Sequence, residues 1–139
     1  MFLLDTVVLS ELRKRGRARS AHVVAWLRSV EDDALYLSVV TIAEIERGIG
    51  RQRKADPRFA AELEAWLDIV LRAYGERILP LSVPIARRWG ELAARLGHAG
   101  LDLAIAATAL EHGLAVATRN IADFAPTGVA VVNPFEKAG

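Results

Sequence analysis

Apolar positions along this chain fall into two kinds of run. Short stretches rich in β-forming side chains, Phe2-Leu3-Leu4, Leu35 to Val39, Arg77 to Leu81, Leu114 to Ala117 and Val129 to Val132, predict strands. Between them lie longer segments with helical spacing. Val7 to Arg15 reads as a helix that Gly16 ends, and Ser20 is placed to cap a second from Ala21 to about Glu31, with Val23, Val24, Leu27 and Val30 on one face. Thr41 to Arg53 carries Ile42, Ile45 and Ile49 at helical spacing. Asp56-Pro57 opens a helix with the proline at its first position and a stripe of Leu63, Trp66, Leu67, Val70 and Leu71. Val83 to Leu96 carries Ile85, Trp89, Leu92 and Leu96, and Leu101 to His112 is an apolar helix closed by Gly113. Gly97 to Gly100 is the loop between these two.

Strands alternate with helices, and the strands are short and almost wholly apolar. That pattern predicts an α/β fold, a short parallel sheet flanked by helices on both faces, with residues 1–139 as one domain. Ligands of such sheets collect outside the carboxyl ends of the strands. Asp5 stands where the first strand ends, and Thr118, Arg119 and Asn120 stand where the fourth does.

Composition narrows the class. The chain of 139 residues is 53% hydrophobic and 25% charged, a globular balance that excludes intrinsic disorder. It has no cysteine, which excludes disulfides and thiolate metal sites and suits a cytoplasmic protein. No run reaches the roughly 18 apolar residues of a membrane span, and Met-Phe-Leu-Leu-Asp lacks the basic start of a signal peptide, so no membrane association is expected. Net charge is only +1, but basic residues cluster at Arg13, Lys14, Arg15, Arg17 and Arg19, and again at Arg47, Arg51, Arg53, Lys54 and Arg58. Such clusters are solvated faces or bind phosphates or an acidic partner. Arg47 follows Glu44 by three residues, on nearly the same helix face, where it suits a substrate phosphate.

The candidate chemistry lies in Asp5, Glu44, Asp102 and Asp123. Each has a local explanation. Thr41-x-x-Glu44 fits a capping box, Asp5 and Asp102 fit helix caps, and Asp123 fits an Asx-turn before Phe124 and Pro126. Taken jointly they read differently. Asp5 and Asp102 stand at joins between apolar segments and helices, and Glu44 lies between Ala43 and Ile45, so burial is expected. Buried carboxylates repel one another unless a cation lies among them or their pKa values rise. Hard divalent ions such as Mg²⁺ take oxygen ligands of this kind.

These residues also carry a family resemblance. Leu3-Leu4-Asp5-Thr6, Ser10-Glu11-Leu12 and Ser38-Val39-Val40-Thr41-Ile42-Ala43-Glu44-Ile45 resemble the opening motifs of PIN-domain nucleases. Asp102 to Ala109, Thr118-Arg119-Asn120-Ile121-Ala122-Asp123-Phe124 and Val131-Val132-Asn133-Pro134-Phe135 resemble the later ones. The likeness spans nearly the whole chain and is closest to VapC and FitB type toxins of bacterial toxin–antitoxin pairs. It implies a PIN-like fold and a ribonuclease using Mg²⁺ or Mn²⁺, with Asp5 and Asp102 as principal ligands. Glu44 would bind metal or orient its water, Asp123 would complete the acidic pocket, and Thr118 and Asn120 would support the scissile phosphate. A homodimer, an RNA substrate and a cognate antitoxin are further implied.

One departure is Val7, where the family commonly has Asn after Asp-Thr, so a hydrogen bond beside the acids is expected to be missing. Val7 favours the alternative reading, a weak or inactive PIN-like domain that binds protein or DNA. It also opposes an aspartyl phosphatase, which needs a second Asp at that place. His22, His98 and His112 form no ligand spacing and receive no catalytic role, and Trp26, Trp66 and Trp89 fall on apolar stripes as core residues.

Overall fold

The computed structural model describes residues 1–14 and 16–136; Arg15, placed by pattern at the end of the first helix and in the basic cluster, lies outside them. Five strands form one parallel sheet: β1 (Phe2–Leu4), β2 (Leu35–Ser38), β3 (Ile78–Leu79), β4 (Ala115–Ala117) and β5 (Val131–Val132). Between them run α1 (Thr6–Arg13), α2 (Ala21–Ser29), α3 (Val39–Ala55), α4 (Pro57–Tyr74), α5 (Val83–Leu96), α6 (Leu101–His112) and α7 (Ile121–Phe124). The expected α/β sheet with helices on both faces is what the chain forms.

The strands are apolar on both sides because the sheet separates two cores. Period-two alternation sends Leu3 and Val116 to one face, where they meet Ile85 and Leu92 of α5 and Leu103 to Ala107 of α6. Leu4 and Ala117 go to the other face, with Val8, Leu9, Ile45, Ile49, Leu67 and Val70 of α1, α3 and α4. Helix α6 is buried from Leu103 through Ala109, which explains why its sequence is apolar all round. Trp26, Trp66 and Trp89 pack against these cores as expected. Leu71, assigned to the buried stripe of α4, is instead 38% exposed.

Strand order is β3-β2-β1-β4-β5. From β1 the chain builds outward through β2 to β3, then returns to the other side of β1 for β4. The order therefore reverses between β1 and β4, a switch point at which adjacent connections leave toward opposite faces and open a crevice. Leu4 pairs with Ala117 at the carboxyl end of both strands. Asp5 and Thr118, the next residue of each, consequently emerge side by side.

Several ends shift by one or two residues, among them α2, which stops at Ser29, and β5, which starts at Val131; two shifts have a clear local cause. Val39 reads as the last residue of a strand and the helix is expected from Thr41, yet α3 begins at Val39 because the buried Ser38 hydroxyl accepts the Val40 N–H at 3.0 Å. Strand β3 shrinks to two residues, since Pro80 ends its ladder.

Candidate functional site

Asp5 caps α1, its Oδ1 accepting the Thr6 N–H at 2.8 Å, as the sequence suggested. Its backbone N–H donates to the Ala117 carbonyl at 3.0 Å, extending the β1–β4 ladder by one bond. The Thr118 hydroxyl donates to Oδ2 at 2.9 Å. Asp5 is only 5% exposed, and Thr118 is fully buried. Both carboxylate oxygens are thus held from the two strand ends that flank the switch point.

Glu44 reaches the same place from α3. The capping-box explanation fails, because Thr41 lies inside the helix and Ser38 holds the cap position. Glu44 accepts instead from the Thr6 hydroxyl at 2.9 Å. Thr6 therefore joins Asp5 to Glu44, through its amide and its hydroxyl respectively. Sequence reasoning gave Thr6 no such role. The partners are 38 residues apart, so no local spacing signals the contact.

Asp102 is not the N-cap of α6; Gly100 is, and the aspartate sits half-buried in the first turn. Asp123 forms no Asx-turn but lies exposed on α7, which Phe124 anchors in the core. Asn120 contributes its backbone, whose N–H donates to the Thr118 hydroxyl at 2.9 Å, while its side chain is exposed. Arg47 is exposed on α3, one turn beyond Glu44.

Electrostatics binds the group together. Burial raises the pKa of Asp5, the bonds from Thr118 and Thr6 oppose that rise, and the charges of Glu44 and Asp123 add to it. Asp102 is raised by burial, then by Asp5 and Asp123, with His98 pulling the other way. Asp5 is thus close enough to each of the other three carboxylates to feel or exert repulsion, and Asp102 also to Asp123. Among the described residues, the ion pairs are Lys14–Glu11, Arg53–Glu64 and Arg88–Glu111, so none neutralises this cluster. Among the same residues no three acidic or imidazole side chains stand ready to ligate one ion together. The donor set is oxygen-only and anionic, which fits a hard cation that keeps most of its water and is held by one or two carboxylates.

The first basic cluster is largely structural. Arg13 lies 5.1 Å from the Phe59 ring centre, Lys14 pairs with Glu11 at 2.9 Å, and Arg19 donates to the Leu12 carbonyl. Glu11, buried at the end of α1, also accepts the Ser20 N–H at 2.7 Å and so ties α1 to the start of α2. Burial acts to raise its pKa, but Lys14 and the Ser20 amide outweigh it and the net shift is downward.

A family model for the PIN domain matches residues 2–126. The chain is 37% identical to VapC ribonuclease Y4jK of Sinorhizobium fredii, across 99% of this chain and 100% of that protein. It is 36% identical to Toxin FitB of Neisseria gonorrhoeae, across 97% of this chain and 99% of that one. A crystal structure of FitAcB from Neisseria gonorrhoeae superposes with a TM-score of 0.85 at 36% identity, covering 98% of this chain and 99% of that chain.

Proposed function

This chain belongs to the PIN domain family, and from that membership we propose that it is a metal-dependent endoribonuclease acting as the toxin of a type II toxin–antitoxin pair. One observation carries the reading: Asp5 is buried at the sheet's switch point with its pKa raised, the charges of Glu44 and Asp123 act on it, Asp102 is raised in turn by Asp5 and Asp123, and none of the four is in an ion pair among the described residues. Such a cluster is unfavourable by itself, and a bound cation relieves it. VapC ribonuclease Y4jK and Toxin FitB, named for nuclease and toxin, supply the biological context.

Asp5 and Asp102 would hold Mg²⁺ or Mn²⁺, with Glu44 and Asp123 binding it or orienting its water. When bound, the ion lowers the pKa of a coordinated water and draws charge from the phosphate. The chain's own residues set the geometry. Thr6 N–H and Thr118 Oγ fix the two oxygens of Asp5, so its carboxylate cannot turn away. Thr6 Oγ holds Glu44 at the start of α1, next to Asp5. The exposed Asn120 would support the scissile phosphate, with Thr118 buried beneath it holding Asp5, and Arg47 would offer a cation to the strand entering along α3. Exposed apolar side chains such as Ile69 and Val83 give surface for a homodimer or a cognate antitoxin.

Val7, 36% exposed beside Asp5, favours a second reading, a PIN domain that binds partners without cleaving RNA. One assay separates them. Purified chain is incubated with single-stranded RNA in Mg²⁺ or in EDTA. Cleavage is expected only with metal, and Asp5→Asn is expected to slow it by at least about a hundredfold. Equal cleavage by wild type and variant, or none by either, would sink the catalytic reading.

A further inference from the structure

Between Thr118 and Asn120 stands Arg119, whose side chain is held by an aromatic ring. Its guanidinium carbon lies 3.7 Å from the centre of the Phe135 ring, against 5.1 Å for Arg13 over Phe59 and 4.9 Å for Arg77 over Tyr74. At that distance the cation rests in contact on the ring face. Phe135 is fixed in turn. Its N–H donates to Asn133 Oδ1 at 2.9 Å, the Glu136 N–H donates to the Asn133 carbonyl at 3.2 Å, and the half-buried ring packs against the core of α1, α3 and α4. The Val132 carbonyl, at the end of β5, accepts the Thr118 N–H at 2.9 Å. These contacts close a ring: from Thr118 across to Val132, along the chain to Phe135, and back through Arg119 to Thr118.

Within that ring lies the turn that presents the Thr118 hydroxyl. The Asn120 N–H donates to this hydroxyl at 2.9 Å, and the hydroxyl's own proton goes to Asp5 Oδ2 at 2.9 Å. Arg119 is the central residue of the turn, so displacing it disturbs both bonds. We propose that Arg119 is a positioning residue: stacked on Phe135, it locks the Thr118–Asn120 turn and so holds the Thr118 hydroxyl on the Asp5 carboxylate. This rests on the reading of Asp5 as a metal ligand, and it extends the site to the closing turn of the chain. A carboxylate ligand owes its orientation to its hydrogen-bond partners, and losing one typically costs about 10–100-fold in metal affinity or activity.

Arg119→Ala, Phe135→Leu and Phe135→Tyr are compared with wild type and with Thr118→Val. Leucine keeps apolar volume without a ring face, whereas tyrosine keeps the face. Three readouts are taken: hydrogen exchange of the Asn120 amide in metal-free protein, Mg²⁺ affinity by isothermal titration calorimetry, and kcat and KM for single-stranded RNA. Arg119→Ala and Phe135→Leu are each expected to exchange the Asn120 amide about tenfold faster and to bind Mg²⁺ about fivefold more weakly. Their kcat should fall about tenfold at nearly constant KM, and Phe135→Tyr should match wild type. With Thr118 already replaced by valine, Arg119→Ala should change metal affinity and kcat little further. Unaltered Asn120 exchange in Arg119→Ala overturns the inference, as does faster exchange with metal affinity and kcat intact. A raised KM at unchanged Mg²⁺ affinity makes Arg119 a direct RNA contact and overturns it too, and so does full additivity with Thr118→Val. Wild-type protein that shows the exchange contrast but neither binds Mg²⁺ nor cleaves RNA overturns the nuclease reading and leaves Arg119 as the lock of the turn.

Discussion

Asp5 combines a buried carboxylate with two donors, and burial outweighs them, so its pKa stands above 3.8 in the folded chain. The sign for stability follows. A raised folded pKa contributes stability that is complete below the unfolded value and is lost as pH rises through the folded one. Metal-free protein at neutral pH therefore carries Asp5 as an unfavourable charge. Asp5→Asn removes it and should melt at a higher temperature than wild type near pH 7 in EDTA. The gap should close as pH falls toward about 4. Scanning calorimetry of both proteins across that range checks this, and a gap independent of pH would mean the carboxylate is not desolvated. Asp102 shifts in the same direction, while Glu11 shifts oppositely, so comparing variants isolates Asp5 better than the wild-type curve does. At this scale the sequence identified the acids but not their contacts. Thr6 is the clearest case, because a hydroxyl's partner on another helix leaves no periodic trace.

Helix α7 shows how an element presents a residue. It has only four residues, too few to hold itself, and Phe124 fixes it by full burial in the core. Asp123, its neighbour, is left exposed, and its charge raises the pKa of Asp5 and Asp102. Phe124→Leu should leave a cavity, cost about 1–2 kcal/mol and reduce cleavage by displacing Asp123. Urea unfolding measures the first effect and an RNA cleavage assay the second; unchanged activity at reduced stability would show that Asp123 needs no such anchor. Helices α5 and α6 matched their expected limits because glycine and serine mark their ends. Helix α3 did not. Its first residues are β-branched, and whether Ser38 or Thr41 caps it depends on which hydroxyl meets a free backbone N–H. That choice also decided the fate of Glu44, freeing it from a capping role to meet Thr6.

Across the whole molecule the site is a property of strand order. Only the reversal between β1 and β4 sets Asp5 against Thr118, 113 residues apart. A cation bound there should stabilise the fold by linkage, about 2.7 kcal/mol at a hundredfold excess over its Kd. Adding Mg²⁺ near pH 7 should therefore raise Tm. The effect should shrink on acidification, as the carboxylates protonate, and in Asp5→Asn. A Tm indifferent to Mg²⁺ would contradict the proposed site. The sequence by itself determined the alternation of strands and helices, the burial of the sheet on both faces and the identity of the acids. These follow from local propensity, capping chemistry and hydrophobic period, all readable over a few residues. Tertiary structure alone decided that Thr6 bridges Asp5 to Glu44 and that Gly100 and not Asp102 caps α6. The bridge depends on which ends of the chain meet, and pairing between distant segments is set by the packing of the two cores, which no short window of sequence contains.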